Sequence, residues 1–261
     1  MKPEDKIKEI IRTSGNDLHL RIANFLRAQG WSVNVSPYYN DQATNKPREI
    51  DLVASKKYEV KNQLFGNADM AIRLFIECKY IKDPNVIWFE QKDLVKAREL
   101  AKDNTILRGV DDHELQNTSR IPHKIHHYLF GGEAMKLASG SGKADPLYEG
   151  MNGCLNGMIF YKANQYPDIS NTEDFPLILV NGFNNLHRRQ PDHPDGHEII
   201  ENNFQVEVDY SFTNVRKEPE TKYFLIDIVS EEKFKDFLDG LEANDISLMQ
   251  DRIHWDMRQN E

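Results

Sequence analysis

The stretches Arg48-Glu49-Ile50-Asp51-Leu52-Val53-Ala54 and Leu74-Phe75-Ile76-Glu77-Cys78-Lys79 decide how this chain folds. Both read as β-strands, largely apolar, and Glu49, Asp51, Glu77 and Lys79 are the charges within them that carry the reading. A strand sends successive side chains to opposite faces, so Glu49 and Asp51 share one face with Ile50 and Leu52 opposite. By the same rule Glu77 and Lys79 share a face with Ile76 and Cys78 opposite. If the two strands are neighbours, three carboxylates and one lysine converge.

Outward from these strands, residues 4 to 29 carry helical periodicity in two pieces: Ile7, Ile10 and Ile11 in the first, Leu18, Ile22, Phe25 and Leu26 in the second. Gly30 is placed to end the second helix in a left-handed conformation. A strand at Trp31 to Ser36, a polar loop from Tyr39 to Lys46, the strand with Asp51 and a strand from Ala71 to Tyr80 follow. Trp88 to Ala101 reads as a helix that carries Gln91. The order is therefore helix, three strands, helix.

Further on, Lys124 to Leu137 and Pro146 to Lys162 read as helices, and in the second Gly150, Gly153 and Gly157 form a small face for tight packing. Strands return at Pro176 to Val180, Phe204 to Phe212 and Tyr223 to Val229. Ser230-Glu231-Glu232 has the pattern of an N-cap opening a helix. Arg188 to Gly196 is turn-rich. Lacking a linker or a repeat, the chain reads as one α/β domain over 1–261, a mixed β-sheet flanked by helices. Its motif core spans about 16–100, a helical insertion about 105–165, and the remaining strands and C-terminal helices about 175–261.

The chain has 261 residues, 39% of them hydrophobic, enough for a substantial core. No apolar run approaches the ~18 residues of a membrane span and the first residues lack a signal-peptide pattern, so a soluble cytoplasmic protein is expected. The only two cysteines, Cys78 and Cys154, fall in a strand and a helix and are expected to be reduced and structural. The net charge of −9 argues against a nonspecific polyanion binder, but five of those negative charges belong to residues 231 to 261. Arg120 to Lys143 holds four bases, one acid and three histidines, a stretch for nucleic acid to run past.

Cutting a phosphodiester with a hard cation requires oxygen ligands, a hydroxide source and positive charge opposite the developing phosphorane. Asp51, Glu77 and the Cys78 backbone carbonyl can hold Mg²⁺ or Mn²⁺, and Lys79 can orient water or offset charge. A lone Glu-x-Lys on a strand is ordinarily a solvated charge pair. What sets this one apart is Asp51 on a preceding apolar strand.

These residues and their order resemble the PD-(D/E)XK superfamily, the restriction-endonuclease-like nucleases, especially the Mrr-like and Holliday-junction-resolvase-like branch. The resemblance covers residues 16 to 100. It implies a metal-dependent DNA endonuclease with Asp51 and Glu77 as metal ligands, Lys79 and Gln91 beside them, DNA as partner, and a role in restriction or phage defence or in DNA repair; one active site cuts one strand, so duplex cleavage calls for a homodimer or two sequential nicks. Two departures stand out: Ile50 rather than proline precedes Asp51, and His19 occupies the leading-helix position where relatives often have glutamate. Glu49 is then a secondary candidate for the missing acid, and His19 a secondary site residue. The alternative is a nuclease-like fold without activity that binds nucleic acid or protein.

Other signals are weaker. Arg120 and Lys124, with His123, His126 and His127 nearby, suit a phosphate-contacting helix face better than zinc. Arg188 and Arg189 suit either a DNA backbone contact from a loop or a disordered surface loop. Ser139 to Lys143 lacks the first glycine and the Ser/Thr of a phosphate loop, and no Gly-x-Ser-x-Gly elbow occurs.

Overall fold

A computed structural model describes residues 3–13, 15–42, 44–62, 66–103, 132–140, 145–164, 172–190, 192, 193, 195–214, 216–241 and 243. Helices α1 (Pro3–Thr13) and α2 (Gly15–Ala28) lead into β1 (Ser32–Val35), β2 (Tyr38–Asn40), β3 (Pro47–Glu49), β4 (Leu52–Asn62), β5 (Gly66–Lys79) and β6 (Asn85–Gln91). Then come α3 (Leu94–Asp103), β7 (Glu133–Gly140), α4 (Pro146–Asn164), β8 (Thr172–Val180), β9 (Leu186–Arg189) and β10 (His197–Ile199). The last described elements are β11 (Phe204–Thr213), β12 (Pro219–Ser230), a 3₁₀ turn at Glu231–Lys233 and α5 (Phe234–Gly240).

Ten strands form one mixed sheet in the order β1-β4-β5-β8-β12-β11-β7-β6-β9-β10. The β4–β5 pair is antiparallel, whereas β5–β8 and β8–β12 are parallel. Alternation along β5 sorts the core: Leu74, Ile76 and Cys78 join Leu18, Ile22, Leu26, Trp31 and Phe234 under α2 and α5, while Phe75 joins Ile178, Leu147 and Cys154 under α4. This is the α/β architecture of helices on both faces of a mixed sheet.

Helix α2 stops where glycine permits. Gly30 has φ +83, its N–H donates to Arg27 O at 3.0 Å, and Trp31 N–H donates to Leu26 O at 3.0 Å. These two bonds form a Schellman motif, and the buried Trp31 and Leu26 make its apolar contact.

The strand expected over Arg48 to Ala54 is broken. Val35 pairs with Leu52 and Tyr38 with Glu49, so β1–β4 and β2–β3 are one antiparallel ribbon in a single register, interrupted where Ser36 and Pro37 face Asp51 and Ile50. Pro37 has no N–H to donate and Ser36 adopts φ 51, so the ladder bends there. The alternation resets at the bend: Ile50 packs in the cluster under α4 and Leu52 in the cluster under α2, instead of sharing a face.

Four other expectations change. Trp88 to Gln91 belong to strand β6, and the helix begins only at Leu94, where Asp93 Oδ1 accepts the Val95 and Lys96 N–H groups, each at 3.1 Å. Glu133 to Leu137 lie in strand β7, so the span 105–165 is not purely helical. Arg188 and Arg189 are on strand β9, paired with β10, not in a loop. Ser230 precedes a 3₁₀ turn and makes no side-chain cap bond. Among the described residues no helix is long and apolar enough to cross a membrane.

Candidate functional site

The site forms where the β4–β5 ladder ends. The last pair is Leu52 with Ile76, and beyond it β5 continues through Glu77, Cys78 and Lys79 without a main-chain partner from β4. The N–H and C=O of Cys78 point to that vacated edge, because a strand residue projects both groups to one side. Asp51, held at the bend by Ser36 N–H donating to its carbonyl at 2.8 Å, fills the gap with its side chain. Its Oδ2 accepts the Cys78 N–H at 2.8 Å. The same edge presents the Cys78 carbonyl.

Glu77 lies on the α4 face, only 5% exposed, and its Oε2 accepts from Lys79 Nζ at 2.8 Å. The remaining space is set by α4: a Cβ added at Gly153 would come within 2.3 Å of Glu77 Oε1. Gly157 is pressed on Ile50 and Gly150 on Ile178 in the same way. The three glycines therefore let α4 lie close to the sheet, as expected for tight packing, and Gly153 in particular makes room for a carboxylate.

Burial and then the neighbouring Asp51 charge push the Glu77 carboxyl up to about 7, against the pull of Lys79. Burial works against the Lys79 ammonium, but Glu77, Asp51 and Glu149 on α4 hold its pKa above the ordinary value. Two acids thus share one lysine. On the other side of Asp51, buried His19 of α2 brings Nδ1 to 3.7 Å from Asp51 Oδ1. Asp17, the nearest acid on that helix, is committed to Arg21, which also donates to both carboxylate oxygens of Glu231 at 2.8 and 2.9 Å.

The structure therefore brings Asp51, Glu77, Lys79, the Cys78 carbonyl and His19 together. Glu49 is exposed on β3, on the far side of the bend. Gln91 is exposed at the end of β6, with β8, β12, β11 and β7 between its strand and β5. The expected glutamine contribution fails because β6 is not neighbour to β5. Arg120 and Lys124 lie outside the described residues. Arg188 pairs with Glu133 and lies 5.0 Å over the Phe89 ring, and Arg189 donates to the Gln190 carbonyl at 2.6 Å. Both thiols are buried and free, and burial pushes them well up, the surroundings of structural cysteines.

Two contributors escaped the sequence. Tyr39, buried beside α4, has its hydroxyl pKa raised by burial and by the charge of Glu77. Glu149 on α4 acts on Lys79. Neither lies near the site in sequence, so no local pattern announces them.

Among the described residues, no group of three or more His, Cys, Asp and Glu side chains is arranged to hold a metal ion. Mg²⁺ does not require one, since it is held by one or two carboxylates and keeps several waters. Asp51 and the buried Glu77, beside the Cys78 carbonyl, are an oxygen donor set of the kind that fits such an ion. A cavity of about 700 Å³ lies near β6, where Lys92 donates to Gln205 Oε1 at 2.6 Å. Burial lowers that lysine to about 8, against the charges of buried Asp227 and Glu207. No protein-family model, curated protein or solved structure significantly matches this chain.

Proposed function

We propose that this protein is a Mg²⁺- or Mn²⁺-dependent DNA endonuclease acting through Asp51, Glu77 and Lys79. The observation that carries the reading is the meeting of these three side chains at the open end of the β4–β5 ladder, two on one strand and one at a bend 27 residues away in sequence from Cys78, whose N–H it accepts. Asp51, Glu77 and the Cys78 carbonyl would hold the ion. When bound, such an ion supplies Lewis acidity and lowers the pKa of water. Lys79 places a fixed positive charge where negative charge develops on the scissile phosphate, and its bond to Glu77 keeps the ammonium in place.

DNA as substrate and a restriction or defence role come from the resemblance to PD-(D/E)XK nucleases in residue type and order. Free, buried cysteines accord with a reducing cytoplasm. Duplex cleavage by one site per chain calls for a homodimer or two successive nicks. The test is incubation of the purified protein with supercoiled plasmid and Mg²⁺ or Mn²⁺, beside Asp51→Ala and Lys79→Ala. Nicking by the wild type, reduced at least about 100-fold in both variants, is the expected outcome. Equal nicking by the variants would sink the assignment.

A second reading, an inactive nuclease-like binding module, is favoured by one observation: the leading helix offers Asp51 an imidazole where an acid would complete a carboxylate triad. Binding of plasmid without nicking under every divalent ion would select it.

A further inference from the structure

We propose that the cavity between β6 and the β10–β11 connection is a second site, in which Lys92 captures a neutral aromatic aldehyde as an iminium adduct. Four strands separate β6 from β5, so the inference stands apart from Asp51, Glu77 and Lys79 and does not rest on the nuclease reading. The cavity measures about 700 Å³, within the roughly 300–1,000 Å³ of small-molecule pockets. Lys92, directly after β6, is only 5% exposed. Its Nζ donates to Gln205 Oε1 at 2.6 Å, and Gln205 Nε2 donates in turn to Asp227 Oδ1 at 2.9 Å. Lys92 and Gln205 both line the cavity, so their bond belongs to its wall.

A lysine desolvated beside an apolar hollow is an amine able to attack a carbonyl. With burial lowering it to about 8, about one-tenth of Lys92 is neutral at pH 7, against well under one-hundredth of an ordinary lysine. Nζ adds to the aldehyde carbon to give a carbinolamine, and the oxygen leaves as water with two of the three ammonium protons as the C=N bond forms. Nothing is oxidised or reduced. The iminium keeps one N–H and one positive charge. It therefore retains the bond to Gln205 Oε1, and Asp227 and Glu207 offset its charge as they offset the ammonium.

The other walls select the aldehyde. Phe89 and Phe204 meet edge to face with ring centroids 5.4 Å apart, Arg188 lies over the Phe89 ring at 5.0 Å, and Ile199 and Ile200 extend the apolar lining. Such rings pack favourably against another aromatic ring. The charged lining sets Lys92 and Arg188 against Glu133, Glu198 and Glu201, a surplus of one negative charge. Arg188 is committed to Glu133 and Glu198. A carboxylate or phosphate on the ligand would therefore meet like charge, and an uncharged ring would not.

The test incubates the full chain at pH 7 with benzaldehyde and cyanoborohydride, which reduces the iminium to a stable secondary amine, and maps the labelled lysines by peptide mass spectrometry. Lys92 is expected to label at least about tenfold faster than exposed Lys235, whose charge Asp239 holds, and to saturate with benzaldehyde concentration. 4-Carboxybenzaldehyde should label Lys92 about tenfold more slowly than benzaldehyde, a gap that Glu201→Gln narrows. Ile199→Trp, a change at a residue 53% exposed, should block the cavity and slow labelling of Lys92 but not of Lys235. Labelling of Lys92 no faster than of Lys235, or a rate that neither saturates nor responds to Ile199→Trp, would overturn the site. Equal labelling by the two aldehydes would overturn the neutral ligand class. None of these outcomes depends on nicking, so the nuclease reading stands or falls separately.

Discussion

Glu77 is a carboxylate in sequence whose surroundings in the fold change its chemistry. Buried beside Asp51, it holds its proton up to about 7, above the ordinary carboxyl value of 4.5. The folded protein therefore binds one more proton than the unfolded chain between those values, so stability falls as pH rises through this window and levels off above it. The metal-free protein should lose about 3 kcal/mol from this group between pH 4.5 and 7. In thermal denaturation, Glu77→Gln should flatten that slope; slopes unchanged by the substitution would count against the buried-carboxyl account. Gly153→Ala tests the space above Glu77, because its Cβ would sit 2.3 Å from Oε1. That variant should be destabilised by about 1 to 3 kcal/mol and should lose nicking, while Gly150→Ala, whose Cβ would lie 3.3 Å from Ile178, should retain it.

Between elements, the parallel β5–β8 pair holds a buried ion pair. Arg73 Nε and Nη2 donate to Asp174 Oδ1 and Oδ2 at 2.6 and 2.9 Å, and the two residues are 3% and 6% exposed. Removing one partner strands a buried charge, so Asp174→Ala should cost about 3 to 5 kcal/mol in chemical denaturation, and the double variant Arg73→Met with Asp174→Leu should cost less than that single change. The same pair explains a short reading of β8. Its first residues, Thr172, Glu173 and Asp174, look like loop in sequence yet are buried, whereas the apolar run after Pro176 is legible as a strand from composition alone. At α2 the terminator was readable, and Gly30→Ala should cost about 1 to 2 kcal/mol because alanine resists a φ of +83.

At the scale of the molecule, ten strands draw together residues from most of the described chain, and the candidate site takes its parts from α2, the β3–β4 bend, β5 and α4. On the proposed reading, a cation between Asp51 and Glu77 would stabilise the folded form by mass action and offset the burial and the Asp51 charge that raise the Glu77 carboxyl. Adding Mn²⁺ at pH 7.5 should raise the Tm of wild type and leave that of Asp51→Asn unchanged, a comparison independent of catalysis. An equal rise in both proteins would place the binding elsewhere. Should the protein cut duplexes by successive nicks, plasmid reactions will accumulate open circles before linear product; sedimentation shows whether a dimer accompanies direct linearisation.

The sequence by itself determined the α/β class, the end of α2 at Gly30, most of helix α4, and the grouping of Glu77 with Lys79, because these depend on periodicity and on the conformational freedom of single residues. It also singled out Asp51, although for a reason only half right: the residue reaches β5 from a bend opposite Pro37, and a straight strand would have sent Glu49 along with it. Only tertiary structure decided that His19 faces Asp51, that Gly153 makes room for Glu77, that Tyr39 feels its charge, and that four strands separate the strand of Gln91 from β5. Those facts depend on strand order and on which helix covers which face, and such long-range choices leave no periodic trace in the local sequence.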